Sequence, residues 1–254
     1  MSFGLGHGKP LDDAPGVVGV TPQELPALPD AALTDRAAGL VDPRGWFPDP
    51  SRPFELEIGS GKGTYLVQQA GRQSGTNFLG VEWAGEFYRY AADRVRRRRE
   101  SGELANVRLW HGDATEFLHW RCPAGVIRVV HLYFSDPWPK AKHHKKRVVQ
   151  HRFLADVWKA LEPGGELRVV TDHDELWAWD ERHFERWTTA GGTAGLAEAA
   201  GLGVDVGLGA LAFERLAFEP PDSAGESELV GTNFERKFRE EGRGFHACTL
   251  RKPG

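Results

Sequence analysis

The sequence predicts an open α/β fold in which a mostly parallel β-sheet carries helices on both faces. Short apolar segments alternate with longer amphipathic segments along the chain, and this alternation implies parallel strands joined by right-handed crossovers. Each of the clearest predicted strands ends in an acidic residue or a glycine turn. Because parallel strands end at the same edge of a sheet, these residues are expected to lie together there.

The predicted elements follow from the period of the apolar residues. Strands are predicted at residues 54–58, 77–81, 106–110, 126–134 and 166–170, and helices at 64–72, 85–99, 148–161 and 175–187. Residues 211–218 and 245–250 alternate enough to form two late strands, which we expect to pair antiparallel at one edge of the sheet.

The chain of 254 residues is long enough for one large α/β domain. Residues 1–50 are rich in Gly, Pro, Ala and Asp, and they are predicted to form a partly ordered N-terminal arm with one short helix within residues 22–39. Residues 51–254 are predicted to form the main domain. A segment rich in Gly and Ala at about residues 189–210 interrupts it as an insertion.

Positive charge is concentrated in one short segment. Residues 138–152 contain six Lys or Arg, three His and no acid, in a chain whose net charge is −4. The rest of the chain therefore carries −10, which argues against a generally basic nucleic-acid-binding protein. A single cationic patch on an acidic body is typical of a protein that binds a polyanion at one place.

Other sequence features narrow the class of protein. No apolar run approaches the ~20 residues needed to span a bilayer, and the N-terminus does not have the pattern of a secretory signal. Cys122 and Cys248 lie far apart and are expected to be free thiols. The His143–His144 pair lacks a third metal ligand. We therefore expect a cytoplasmic protein with no membrane segment and no metal, either a monomer or a homodimer.

The first strand leads into a glycine-rich turn with chemical meaning. Glu57 is followed by Gly59, Gly61 and Gly63, and a helix begins at Thr64. The pattern is not the G-x-G-x-x-G of dinucleotide-binding proteins, and no P-loop pattern is present. An acid before the turn would repel a pyrophosphate, but it would suit a ligand that carries an ammonium and a sulfonium group.

Acids also end the next two predicted strands. Glu82 is placed to accept hydrogen bonds from two ribose hydroxyls, and Asp113 from the exocyclic amine of an adenine. The alternative is that each acid caps the helix that follows it. The glycine turn and the three acids at successive strand ends together indicate a pocket for a positively charged nucleoside.

The fourth strand ends in the most distinctive stretch of the chain, Ser135-Asp136-Pro137-Trp138-Pro139. The two prolines remove two backbone donors and restrict two φ angles, so this loop is predicted to be stiff. Asp136 stands between the predicted pocket and the basic segment. The alternative is a strand-ending turn followed by a solvated basic helix, and Trp138 is as suited to packing as to stacking on a base.

Taken in order, these motifs resemble the bacterial tRNA (guanine-N7-)-methyltransferases. The likeness lies in residues 56–63, 80–82, 112–114, 134–140 with the basic segment after them, 171–172 and 232–235, and it covers about residues 45–251. It implies the Rossmann-like class I methyltransferase fold, with a mostly parallel seven-stranded sheet, an antiparallel edge strand and S-adenosylmethionine as cofactor.

The resemblance also assigns roles to residues. Asp136 matches the residue regarded as catalytic in the family. The cofactor positions match Glu57, Gly59, Gly61, Gly63, Glu82, Asp113 and Asp136. The substrate positions match Lys140, Asp172, Thr232, Asn233, Phe234 and Glu235. The basic segment Lys142, His143, His144, Lys145, Lys146 and Arg147 is expected to contact RNA phosphates.

The function implied is methylation of N7 of guanosine 46 in the variable loop of tRNA. One alternative is a class I methyltransferase that acts on another RNA or on a small molecule, and the basic segment argues against a small molecule. The other alternative is a non-catalytic RNA-binding relative with a degenerate pocket, against which the intact acids and glycines argue.

Overall fold

A computed structural model describes residues 10–193, 196 and 213–254. Within these residues, one seven-stranded sheet has the strand order β3-β2-β1-β4-β5-β7-β6. The strands are β1 Phe54–Ile58, β2 Asn77–Glu82, β3 Val107–His111, β4 Ile127–Tyr133, β5 Leu161–Thr171, β6 Glu214–Leu216 and β7 His246–Arg251.

Strand directions confirm the predicted sheet. The pairs β1–β2, β1–β4, β2–β3 and β4–β5 are all parallel. Strand β7 runs antiparallel to β5, and β6 runs antiparallel to β7 at the edge. The predicted insertion at 189–210 lies mostly outside the described residues. The topology is that of a Rossmann-like class I methyltransferase.

Helices cover both faces of the sheet, as predicted. They are α1 Thr64–Arg72, α2 Gly85–Glu100, α3 Ala114–Trp120, α4 His151–Ala160, α5 Asp174–Thr188 and α6 Asn233–Glu240. One apolar cluster joins α3, α4 and α5 to the sheet, and a second joins α1 and α2 to its other face. Residues Phe117, Leu154 and Trp187 of the first cluster are completely buried, because their helices present apolar residues every three or four positions.

Residues 18–24 pack along the outer side of β3. The Val20 N–H donates to the Leu109 carbonyl at 3.0 Å, and the Leu109 N–H donates to the Val18 carbonyl at 2.9 Å. The buried Arg108 guanidinium pairs with the Glu24 carboxylate at 2.7 Å. These contacts extend the sheet by a short bridge beyond β3.

The helix predicted within residues 22–39 is not an α-helix. Two short 3₁₀ helices, Asp30–Leu33 and Arg36–Gly39, form there instead, and a third spans Pro43–Trp46. The prolines of this segment lack the N–H groups that a longer helix needs. The helix predicted at 148–161 spans only His151–Ala160, and β5 begins at Leu161, before the strand predicted at 166–170.

Candidate functional site

The glycine turn after β1 takes a backbone shape that requires glycine. The φ angles are 73° at Gly59, 53° at Gly61 and 67° at Gly63, in the left-handed region that other residues adopt only at a cost. The Gly59 N–H donates to the Val81 carbonyl at 2.9 Å, and the Gly61 N–H donates to the Glu82 carboxylate at 2.7 Å. The turn is therefore tied to the end of β2.

A cavity opens above this turn, at the carboxyl ends of β1 and β4. Five aromatic rings contribute to its wall. The lining residues are Glu57, Gly59, Ser60, Gly61, Lys62, Thr64, Tyr65, Phe87, Tyr133, Phe134, Thr232, Asn233, Phe234 and Lys237. The cavity lies at the sheet edge where the sequence predicts a nucleoside pocket, and it brings the glycine turn together with the start of α6.

Glu57 is a buried acid in the wall of this cavity. Its Oε2 atom has no hydrogen-bond partner among the described residues. Burial raises the pKa of Glu57 to about 8, and the negative charge of Glu82 adds to the rise. A buried carboxylate without a partner is costly unless a ligand supplies one. The site therefore fits a ligand with a cationic group, such as the predicted S-adenosylmethionine.

Glu82 supports the turn with both carboxylate oxygens. Oε2 accepts from Gly61, and Oε1 accepts from the Ala84 N–H at 2.8 Å. Burial raises the pKa of Glu82, the two amides partly offset this effect, and the charge of Asp136 adds to the rise. Since each carboxylate oxygen can accept more than one hydrogen bond, ribose hydroxyls could still bind here.

Asp113 caps the helix that follows it. Its Oδ1 accepts from the Thr115 N–H at 2.8 Å and from the Thr115 hydroxyl at 2.7 Å. The alternative role considered for this acid is therefore observed, and Asp113 is not among the residues that line the cavity. Its predicted contact with an adenine amine remains a prediction, for which Oδ2 would serve.

The loop after β4 is strained at two bulky residues. Phe134 has a φ of 55° and Trp138 has a φ of 42°, a conformation that costs about 1–3 kcal/mol at each residue and persists only where the surroundings enforce it. Asp136 lies between them and is exposed to solvent. Asp136 comes two residues after Phe134, which lines the cavity, and its negative charge raises the pKa of Glu82.

Residues of the basic segment hold Trp138 in place. The Lys146 ammonium lies 4.6 Å from the centroid of the Trp138 ring, and the His143 ring meets the indole edge-on, with centroids 5.7 Å apart. His144 contacts Glu175 at 3.3 Å. Packing therefore accounts for much of the Trp138 surface that a base would need for stacking.

The basic segment separates into exposed and buried cations. The exposed lysines are Lys140, Lys142, Lys145 and Lys146. Arg147 differs, because its side chain is 1% exposed and pairs with the Glu175 carboxylate at 2.8 Å. A phosphate could not reach this guanidinium without breaking that pair. This buried ion pair therefore argues against the predicted contact between Arg147 and RNA.

Thr232 and Glu235 cap the start of α6. The Thr232 hydroxyl accepts from the Glu235 N–H at 3.1 Å. The buried Glu235 carboxylate accepts from the N–H groups of Val230 and Gly231 at 2.8 and 2.9 Å. Burial alone would raise the pKa of Glu235, but these amides lower it overall. Glu235 therefore shapes the cavity wall, and its direct contact with substrate is not supported by this arrangement.

Only some of the other predicted substrate residues line the cavity, and Asp172 and Lys140 are not among its lining residues. Asn233 and Phe234 line it, and the Phe234 ring is 44% exposed. Asp172 at the end of β5 accepts from Arg243 at 2.6 Å. Lys140 is exposed at the start of the basic segment.

Two kinds of feature are absent from the described part of the chain. No helix there is both long enough and apolar enough to cross a bilayer. Over the same residues, no three His, Cys, Asp or Glu side chains come together in a way that could hold a metal ion.

Comparison with known proteins identifies the family. A family model described as a putative methyltransferase matches residues 51–191. A tRNA (guanine-N(7)-)-methyltransferase of Rhodospirillum rubrum is 34% identical over 201 residues, which cover 75% of this chain and 74% of that protein. The chain belongs to the tRNA (guanine-N(7)-)-methyltransferase family.

Other relatives of the same name match shorter stretches. The one from Nitrobacter hamburgensis is 36% identical over 159 residues, and the one from Corynebacterium diphtheriae is 37% identical over 147 residues. These matches cover 63% and 58% of this chain and 60% and 55% of the two relatives. This tRNA (guanine-N(7)-)-methyltransferase family member therefore spans little more than half the length of those two relatives.

In this family member, a buried polar network packs against the wall of the cavity. It was not predicted from the sequence. His131 contacts the Tyr133 hydroxyl at 2.7 Å through Nδ1 and the Glu55 carboxylate at 2.8 Å through Nε2. The Tyr65 hydroxyl lies 3.3 Å from His131 Nε2. Burial lowers the pKa of His131, although Glu55 offsets part of this effect. The network fixes two tyrosines of the cavity wall.

A signal for this network was present in the sequence. Glu55 and Glu57 lie two residues apart on one face of β1. His131 and Tyr133 lie two residues apart on the same face of the neighbouring strand β4. Polar residues on one face of an otherwise apolar strand indicate a buried hydrogen-bonded cluster, since buried polar groups need partners.

Proposed function

We propose that this protein transfers a methyl group from S-adenosylmethionine to N7 of guanosine 46 in the variable loop of tRNA. The observation that carries the proposal is the position of Asp136. It comes two residues after Phe134, which lies in the wall of a cavity that holds the unpartnered buried carboxylate of Glu57, and a run of exposed lysines follows it. Membership of the family supports the same activity.

Glu57, Gly59 and Gly61 line the cavity and are suited to hold the cofactor, and Glu82, outside the lining, is hydrogen-bonded to Gly61. When bound, S-adenosylmethionine supplies a methyl group carried on a positively charged sulfur. The Glu57 carboxylate is suited to face the cationic part of the ligand. Glu82 is suited to accept from the ribose hydroxyls, and the glycine turn lets the backbone approach the ligand closely.

Methyl transfer to guanine N7 requires no proton transfer to or from the protein. Guanine N7 carries a lone pair and no proton, so its methylation requires no general base. Asp136 would accept hydrogen bonds from the Watson–Crick edge of the guanine and offset the positive charge that develops on the purine. Most of the remaining rate enhancement would come from holding the base in line with the methyl group.

The RNA would approach across the exposed lysines. The target base must leave its stack to reach the cavity, which costs a few kcal/mol. Phe234 at the mouth offers an exposed ring on which an extruded base could stack. Lys140, Lys142 and Lys145 would meet phosphates on either side.

The decisive experiment is nucleoside mass spectrometry of tRNA after incubation with the protein and isotopically labelled S-adenosylmethionine. We expect labelled 7-methylguanosine at position 46, located by analysis of nuclease fragments. Label at another nucleotide or in another RNA would favour the alternative methyltransferase. Unlabelled tRNA that still binds would favour a non-catalytic RNA-binding protein.

Replacing Glu82 by alanine is expected to weaken S-adenosylmethionine binding by about 1–3 kcal/mol, the usual effect of losing hydrogen bonds to a charged acceptor. The change also removes the acceptor of the Gly61 amide, which shapes the turn. Calorimetric titration measures the effect, and Glu86→Ala, at an exposed acid in the first turn of α2, is the control. Unchanged affinity in Glu82→Ala would remove Glu82 from the ribose role.

Binding of tRNA should depend on salt through the exposed part of the basic segment. If Lys140, Lys142, Lys145, Lys146 and Arg152 all meet phosphates, the log–log slope of affinity against salt should be about −3.5 to −4.5. Changing Lys142, Lys145 and Lys146 together to methionine should flatten this slope by about 2 to 3.

The control for this experiment is Arg98→Met on α2, where the arginine lies 3.4 Å from Glu103. Its neighbours Arg96 and Arg97 pair with acids of the same helix. We expect the control to leave the slope unchanged. If the control flattens the slope and the triple variant does not, the RNA lies on α2.

A further inference from the structure

On the basis of the proposed function, we propose that Arg147 is a positioning residue that fixes the loop presenting Asp136 and does not itself bind RNA. Its sequence context, at the end of a run of lysines and histidines, suggests a phosphate contact. Its contacts in the structure indicate a different role.

The backbone of this loop has few groups that can donate hydrogen bonds. Two of its residues are prolines without an N–H, and Trp138 has a left-handed backbone. Arg147 Nε donates to the Pro137 carbonyl at 2.9 Å. This hydrogen bond anchors the backbone of residues 135–139 to the end of the basic segment. The bond lies one residue beyond Asp136, so it controls where the carboxylate stands.

Both the side chain and the backbone of Arg147 make contacts that fix its position. Its Nη2 donates to Glu175 at the start of α5 at 2.8 Å, and its guanidinium carbon lies 5.2 Å from the centroid of the Trp179 ring. Its own N–H donates to the His144 carbonyl at 3.0 Å, and its carbonyl accepts from the Gln150 side chain at 3.0 Å. The guanidinium therefore connects α5 to the Asp136 loop as one rigid unit.

This link depends on the shape of arginine as well as on its charge. The planar guanidinium directs Nε to the Pro137 carbonyl and Nη2 to the Glu175 carboxylate at the same time. A lysine has one ammonium on a flexible chain and does not reproduce that fork. Arg147→Lys therefore keeps the positive charge that a phosphate contact would need and removes the geometry that a positioning role needs.

The test compares Arg147→Lys with the native protein under single-turnover conditions, at saturating S-adenosylmethionine and tRNA. We expect the methyl-transfer rate to fall about a hundredfold, in line with misplacement of a catalytic group by about 1 Å. The affinity for tRNA should stay within twofold of native, and its salt slope should not change. Arg52→Lys, the same change in a surface pair with Asp49, serves as the control and should transfer methyl groups at the native rate.

Two further variants separate the outcomes. Lys145→Met, at an exposed neighbour, should reduce the salt slope by about 0.7 to 0.9. Glu175→Ala removes the partner that orients Arg147, and it should slow methyl transfer about tenfold with unchanged tRNA affinity. If Arg147→Lys does not fold, Glu175→Ala decides the question.

The inference is overturned if Arg147→Lys transfers methyl groups at the native rate. It is also overturned if Arg147→Met, which removes the charge as well, loses salt slope as Lys145→Met does. A native protein that transfers no methyl group to guanine N7 would count against the proposed function instead, since the inference concerns only how the native rate changes.

Discussion

Replacing Asp136 by asparagine is expected to lower kcat about a hundredfold or more, the usual effect of losing one preorganised electrostatic contact. Asparagine keeps the shape of the side chain and removes its charge. Its amide would also present a donor to the guanine amine, where an acceptor is needed. The fold should survive, because Asp136 is exposed to solvent.

The pH dependence of the rate shows how Asp136 acts. Because guanine N7 has no proton to lose, the native enzyme should show no essential base limb that disappears in Asp136→Asn. Such a limb near neutral pH, abolished by the substitution, would mean that Asp136 titrates in catalysis and that the electrostatic account is wrong. Asp174→Asn, at an acid that is 95% exposed near the end of β5, controls for a general loss of negative charge.

Changing Glu57 to glutamine is expected to weaken S-adenosylmethionine binding by about 1.5–3 kcal/mol, the usual effect of losing a charged acceptor. Glutamine matches the size of the buried side chain but cannot neutralise a cationic ligand. S-adenosylhomocysteine lacks the sulfonium charge, so its binding should weaken less. Equal losses for the two ligands in calorimetric titrations would show that Glu57 does not face the sulfonium.

The affinity of the native protein for S-adenosylmethionine should also depend on pH. Because the pKa of Glu57 is about 8, the group is mostly protonated at neutral pH, and the cation binds its ionised form. Affinity should therefore rise by up to about tenfold per unit between pH 6 and 7.5. Glu82, Tyr65 and Tyr133 interact electrostatically with Glu57, and the pKa of each is raised. Glu57→Gln should remove most of this dependence, which identifies Glu57 as its source.

The stability of the free protein should change in the opposite direction. The folded pKa of Glu57 lies above its unfolded value of about 4.5, so the folded state binds more protons between these two pH values. The contribution of Glu57 to stability is therefore fully present below pH 4.5 and is lost as the pH rises through 8, by at most about 1.4 kcal/mol per unit. Urea unfolding of the native protein and Glu57→Gln at pH 6 and 8 measures the difference.

The mostly parallel sheet and the site at the carboxyl ends of its strands could be predicted from the sequence. Strand β1 is an uninterrupted buried run that ends in Glu57 and a glycine turn, and β4 ends in the Asp136 loop. Local patterns of this kind determine where strands end, and parallel pairing then brings their ends to one edge. Left-handed φ angles at Gly59, Gly61 and Gly63 confirm what the glycine spacing predicts.

The environment of each charged group could not be predicted in this way. Asp113 and Glu235 occupy positions that suit ligand binding, yet both cap helices, because the choice depends on which N–H groups the chain brings within reach. Likewise, no local pattern shows that His131 joins Glu55 to Tyr133. Glu55 and His131 lie on different strands and are 76 positions apart in the sequence.

The sequence by itself therefore determined the sheet, the glycine turn, the acids at the strand ends and the concentration of positive charge after Asp136. Only the tertiary structure decided which of those charges face solvent. Arg147 and Lys146 are neighbours in the sequence, but helix α5 packs Glu175 and Trp179 around Arg147 and leaves Lys146 exposed. The physical reason is that burial depends on contacts between elements far apart in the chain, whereas sequence patterns report mainly on each element alone.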